Sequence, residues 1–203
     1  MHSLFLIPLI ALSAEPKWEL AAEETGLKVY SRTKEGTEIR EMKAMGIIDA
    51  TPQEVQAVVN GYADYKTTMP YIEEAKVLAK EDAKTTLFYS RLNTPLVDKR
   101  DYIIRCVDES DWKEGKGFLK STWKVINDKD ELVPVKAEVV RVRVNEGYWL
   151  MEPRDDGKKT FTTYYVYTSP GGSVPNWIAN KGNSLAVPKV FERIRAAVAK
   201  NKK

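Results

Sequence analysis

From residue 72 to residue 168 the chain keeps one pattern: short runs of alternating apolar and polar residues, cut by short turn-forming segments. The runs are 72–80, 85–92, 100–109, 117–126, 137–145, 147–153 and 159–168. A period of two is the mark of a half-buried β-strand. Separators as short as Asn127-Asp128 and Asn145-Glu146-Gly147 leave room for hairpins and not for crossover helices, so the sheet is expected to be antiparallel. In 137–145, Val140, Val142 and Val144 fall on one face and Arg141 and Arg143 on the other, which predicts one face on the interior and one in water.

The pattern stops at Ser169-Pro170-Gly171-Gly172, a strong turn signal. Ser173 can serve as an N-cap and Pro175 suits a first helical turn. Beyond them Leu185, Val187, Val190, Phe191, Ile194 and Val198 follow helical spacing, with Trp177 and Ile178 ahead of them. The middle of this helix is weak. Gly182-Asn183-Ser184 are poor helix formers, and Pro188 lacks the N–H that residue 184 needs. A long C-terminal helix with a pliant centre is expected.

Ahead of residue 72, a short helix is expected over 16–24 and strands over 27–32 and 38–48. Thr51, Pro52 and Glu54 form a capping-box signature for a helix that runs to about Val59, where Asn60-Gly61 ends it. A second short helix is expected over 62–67. Together these elements predict an α+β domain with a large antiparallel sheet of about nine strands curled around one long helix.

The chain has 203 residues, enough for one domain with a real core. Its net charge of +3, from 32 basic and 29 acidic residues, argues against a nucleic-acid partner. Residues 4–12 are an apolar run too short to span a bilayer, which takes about 20 residues, and small residues follow it. Residues 1–14 therefore read as a signal peptide, with a domain over 15–203 and a secreted or periplasmic location. Met1-His2-Ser3 lacks the usual Lys or Arg of such a leader. His2 is the only histidine and Cys106 the only cysteine. Ser-His-Asp and Cys-His chemistry, an intrachain disulfide and an ordinary zinc site are excluded once the leader is removed. No phosphate loop or dinucleotide fingerprint is present. No cofactor and no metal are expected.

Four stretches, in order, resemble one known family. They are Trp18-Glu19-Leu20 with Gly26–Arg32, the Thr51-Pro52 helix start, the run from Pro95 through Arg100-Asp101-Tyr102, and Ser169-Pro170-Gly171-Gly172 with Pro175-Asn176-Trp177-Ile178-Ala179-Asn180. Their arrangement is similar to that of START domains, the lipid-transfer branch of the helix-grip (Bet v 1-like) superfamily. The resemblance implies a helix-grip fold with two short helices after the second strand, and an internal cavity for a lipid or other hydrophobic ligand. It also implies transient contact with a membrane surface, and a monomer is expected.

Carried over by position, the resemblance makes the C-terminal helix a gate, with Trp177, Ile178, Asn183, Leu185 and Phe191 as ligand contacts and Gly182 and Pro188 as its pliant points. Pro95, Leu96 and Val97 would form the facing lip. A buried polar side chain would orient the ligand head, with Arg105, Arg141 and Glu152 as candidates. Two alternatives stand beside this reading. One is an aromatase/cyclase-type enzyme of the same superfamily, acting on a hydrophobic substrate. The other is an interaction module with a solid core.

Overall fold

The computed structural model describes residues 17–95 and 97–202. The N-terminal apolar run with its expected cleavage site, and Leu96, lie outside them. The chain opens with strands β1 (Glu19–Glu24), β2 (Leu27–Thr33) and β3 (Arg40–Ile48). Helix α1 (Pro52–Val59), a 3-10 turn (Tyr62–Asp64) and the single-turn helix α2 (Tyr65–Thr68) follow. Next come β4 (Ile72–Lys80), β5 (Thr85–Leu92), β6 (Lys99–Asp108), β7 (Asp111–Lys113) and β8 (Lys116–Val125). After a 3-10 turn (Asp130–Leu132) come β9 (Val139–Arg141), β10 (Val144–Arg154), β11 (Lys159–Ser169) and the long helix α3 (Asn176–Asn201).

One sheet runs in the order β1-β2-β3-β11-β10-β8-β6-β5-β4, with β7 beside β8 and β9 beside β6. Every pairing is antiparallel except the short one of β6 with β9. Nine strands on the main path and one long helix match the expected helix-grip layout. The capping box forms as its residues predict: Glu54 N–H donates to Thr51 Oγ1 at 3.3 Å and Thr51 N–H donates to Glu54 Oε2 at 2.8 Å. Val55, Val58 and Val59 on the opposite face of α1 are buried.

Three expectations are corrected. Residues 19–24 form a strand rather than a helix: Gly26, at φ 70°, folds the segment back so that it pairs with β2. So short a segment has too few hydrogen bonds to offset helix nucleation, and a ladder partner is at hand. Run 137–145 is not one strand. It is split between β9 and the start of β10 at Val144, and its face assignment fails, because Arg141 is buried while Val144 is 38% exposed. An ion pair holds Arg141 inside, as described below. At α3, Pro175 takes the N-cap place expected of Ser173, and no side chain caps the helix. Asn176 and Asn180 anchor this end instead. Asn176 donates to Glu38 Oε2, while Asn180 donates to Glu38 O at 2.9 Å and accepts from Arg40 N–H at 2.9 Å.

The principal core lies where α3 and α1 press on β2, β3, β10 and β11. Val29, Met42, Ile48, Val55, Met151, Phe191 and Ile194 are its most deeply buried members. Gly46 permits this approach. A Cβ there would stand 2.5 Å from Gly26 O and 3.3 Å from the Phe191 ring. Arg195 then clips the helix to the sheet, donating to Gly26 O at 2.7 Å and to Ile47 O at 2.9 Å.

Candidate functional site

At the other end of the sheet, helix and strands stand apart. They enclose a cavity of about 630 Å³. Strand alternation builds its walls. In β6 the side chains of Arg100, Tyr102, Ile104 and Cys106 project into it, and in β5 those of Phe88 and Leu92 do. The turn and helix over 62–68 bring Tyr62 and Tyr65. Trp123, Val142, Trp149, Tyr164 and Val166 complete the sheet side, and α3 lies across the opening.

The lining is mostly aromatic and aliphatic. Tyr62 stacks on Phe88 with centroids 4.7 Å apart, and Tyr65 meets Phe88 edge-on at 5.4 Å. Trp149 and Trp123 flank Tyr164 at 4.3 and 5.7 Å. Rings so interlocked give rigid apolar walls. The few polar groups are mostly engaged. Asn60, the C-cap of α1, accepts through Oδ1 from Ser121 Oγ at 2.8 Å and from the Tyr62 hydroxyl at 3.2 Å. Trp123 Nε1 donates to Asn145 Oδ1 at 2.9 Å, and the Tyr65 hydroxyl donates to Val59 O at 2.6 Å.

Arg100 differs. Its side chain is buried, 5% exposed, and its Nη1 donates to Asp98 O, yet its Nε has no partner.

Burial controls the titrating groups here. It pushes the Cys106 thiol up to about 12 and raises the phenols of Tyr62, Tyr65, Tyr102 and Tyr164 above their ordinary value. All of them are neutral at physiological pH. Among the described residues no Asp, Glu or His lines the cavity.

Of the residues expected at the site, Trp177, Ile178, Gly182, Asn183 and Leu185 line the cavity from the N-terminal half of α3, and Pro95 and Val97 line it from the β5–β6 loop. Leu96 lies outside the described residues. Asn183 donates to Thr168 O at 3.3 Å, tying helix to sheet. Phe191 is fully buried, but in the principal core against Trp149, and Pro188 lies in the helix without lining the cavity.

The three charged candidates do not reach the cavity. Arg105 lies on the alternate face of β6, with both oxygens of Glu81 at 2.7 and 3.0 Å. Glu152 is on the alternate face of β10 from Trp149 and Met151, with Arg154 3.8 Å away. Arg141 is buried beneath the loop before β9. It holds Asp101 with Nε and Nη2 at 2.6 and 3.2 Å, Asp130 with Nη1 at 2.5 Å, and Val133 O at 2.8 Å. Tyr89 also donates to Asp101, at 3.2 Å. This guanidinium is already satisfied. The residue overlooked was Arg100, and its signal was available: it shares alternation parity with Tyr102, Ile104 and Cys106, whereas Arg105 does not.

A family model described as the START domain matches residues 9–203. The chain belongs to the START-domain family. An uncharacterized protein of Pseudomonas aeruginosa is 29% identical over 187 residues, covering 90% of this chain and 87% of that protein. Phosphatidylcholine transfer protein of Bos taurus is 26% identical over 190 residues, covering 92% of this chain and 86% of its own length. Among solved structures, a STAR-related lipid transfer protein fragment from Xanthomonas axonopodis superposes with a TM-score of 0.79 at 24% identity, covering 90% of this chain and 98% of the fragment. That likeness shows the fold. In this START domain the long α3 is the helix that the sheet grips.

Proposed function

We propose that this START domain binds one lipid or similar hydrophobic molecule in its cavity and moves it between membranes, without chemistry on it. One observation carries the reading: an apolar space of about 630 Å³ is roofed by a helix segment whose large side chains border it and are also exposed. Trp177 is 68% exposed and Leu185 58% exposed. Each methylene that leaves water for such a space contributes about 0.8 kcal/mol, so an acyl chain or a ring system binds tightly with few polar contacts. The names of the transfer-protein relatives point the same way.

The N-terminal half of α3 acts as the gate and the loop at Pro95 and Val97 as the lip. Gly182 and Pro188 loosen the helix between them. Ser184 Oγ donates to Asn180 O at 3.0 Å, a local bond that favours bending. Trp177 and Leu185 enter the membrane interface, the gate swings away from the lip, the ligand passes, and closure excludes water. The superfamily's cyclase chemistry needs a base near the substrate. This cavity's thiol and phenols are held neutral and no carboxylate of the described residues lines it, which favours a carrier.

We further propose that the carrier is exported, on the strength of the apolar run at 4–12 followed by small residues, and that it works as a monomer. Native mass spectrometry of the protein purified from its own source, with organic extraction, tests all three points. The expected species is a monomer that lacks about the first 14 residues and carries one lipid. A chain that arrives empty, and takes up neither a fluorescent sterol nor a fluorescent fatty acid, contradicts the carrier reading.

A further inference from the structure

Arg100 is not needed to hold an uncharged hydrophobic ligand, and it is costly to keep. A buried cation without a counterion is disfavoured, and charged side chains are rarely buried unless paired. Arg141, one residue over on the neighbouring position of the sheet, shows the ordinary solution in this same protein: two carboxylates hold it. Arg100 lacks that solution. Among the described residues no carboxylate forms an ion pair with it, its Nε–H is unused, and the cavity it lines contains no acidic side chain. The other charged residue of the lining, Lys181 on the gate, is also positive. Asp101, next in the chain, points to the opposite face and is taken by Arg141.

The turn before α3 passes close to the guanidinium. Its Nη2 lies 3.9 Å from where a Cβ on Gly172 would stand, and Gly172, at φ 65°, has none. The group therefore sits at the start of β6, under the turn that leads into α3. The apolar lining runs inward from it along Tyr102, Ile104 and Cys106, roughly 20 Å at the rise of a β-strand.

We propose that the cavity selects an anionic amphiphile, whose carboxylate or phosphate is received by the free edge of Arg100 with its tail directed inward toward Cys106. The guanidinium fork matches both anions, and a bound anion supplies the counterion that the protein withholds. This inference rests on the carrier reading and names its ligand class.

The test uses three probes with one tail: dodecanoate, dodecyl phosphate and dodecanol, each below its micelle concentration. Binding is read from the tryptophan fluorescence of the full chain, because Trp123 and Trp149 line the cavity. At least one anion is expected to bind about tenfold or more tightly than dodecanol. Preference for dodecanoate over dodecyl phosphate identifies a carboxylate ligand, and the reverse identifies a phosphate. Arg100→Gln is expected to shrink the anion-to-alcohol ratio at least fivefold, and Arg100→Lys to shrink it less. Arg105→Gln, on the outer face, is expected to leave the ratio unchanged. Thermal melting confirms that each variant is folded.

Equal binding of anions and alcohol to the wild type overturns the inference while leaving the carrier reading intact. So does an Arg100→Gln variant that is folded and keeps the full ratio. Failure of all three probes to bind overturns both.

Discussion

Phe191, Ile194 and Val198 in the C-terminal half of α3 are almost fully buried, whereas Trp177 and Leu185 in its N-terminal half are mostly exposed. Both halves belong to one continuous helix. One half is a core element: it fills the space over β2, β3 and α1, and Arg195 fixes it to two backbone carbonyls. The other half roofs a cavity and is held at its edge by Asn176, Asn180 and Asn183. Gly182, Ser184 and Pro188 lie about the junction of these two regions. A helix built this way can release one end while the other stays packed, because local stability follows local burial.

The largest test of that contrast is a pair of truncations. Phe191→Ala removes a ring that is 0% exposed and should destabilise the fold by about 3–5 kcal/mol in urea unfolding. Leu185→Ala, on the roof, should change stability by less than about 0.5 kcal/mol. Similar losses from both would abolish the distinction.

A second test concerns the cavity wall. Burial raises the Cys106 thiol from 9.0 to about 12, so the folded chain keeps a proton that the unfolded chain gives up. This group's contribution is whole below about pH 9 and is lost as pH rises toward 12. By roughly pH 10.5 the wild type should have lost about 2 kcal/mol from Cys106 alone. Cys106→Ala should lose that much less between pH 8 and 10.5, measured from urea unfolding at both values. An equal alkaline loss in the variant would mean that the thiol is not held away from water.

Smaller effects sharpen the hinge. Nothing lies within 4 Å of where a Cβ on Gly182 would stand, so Gly182→Ala should stabilise the chain by about 0.5–1 kcal/mol and slow ligand exchange with vesicles. A stabilised variant with unchanged exchange would remove Gly182 from the gating motion. Smallest in stability is Trp177→Ala, expected to shift unfolding by under about 0.5 kcal/mol while lowering vesicle-to-vesicle transfer several-fold. Unaltered transfer would show that this exposed ring is not a membrane contact.

Much of the fold was legible because local signals and tertiary structure agree. The capping box at Thr51 and Glu54 forms, and the runs at 72–80 and 85–92 become β4 and β5 without adjustment. Misreadings arose where a distant partner decides. Arg141 looked solvated because alternation cannot reveal Asp101, 40 residues away in sequence. Glu19–Glu24 looked helical because a short polar stretch carries no mark of the strand it will pair with. The cavity itself was not legible from the residues. Tyr102 and Phe88 lie in apolar-rich runs, but the same runs would serve a solid core, since periodicity fixes a face and says nothing of how far the opposite wall stands. Arg100 was legible by its parity with Tyr102, Ile104 and Cys106.

Amide hydrogen exchange along α3, with and without a bound amphiphile, tests the central claim most directly. The account predicts that amides of residues 178–185 exchange far faster than those of 191–198 in the empty protein, and that ligand loading slows the first group alone. Uniform protection along the helix, indifferent to ligand, would contradict it.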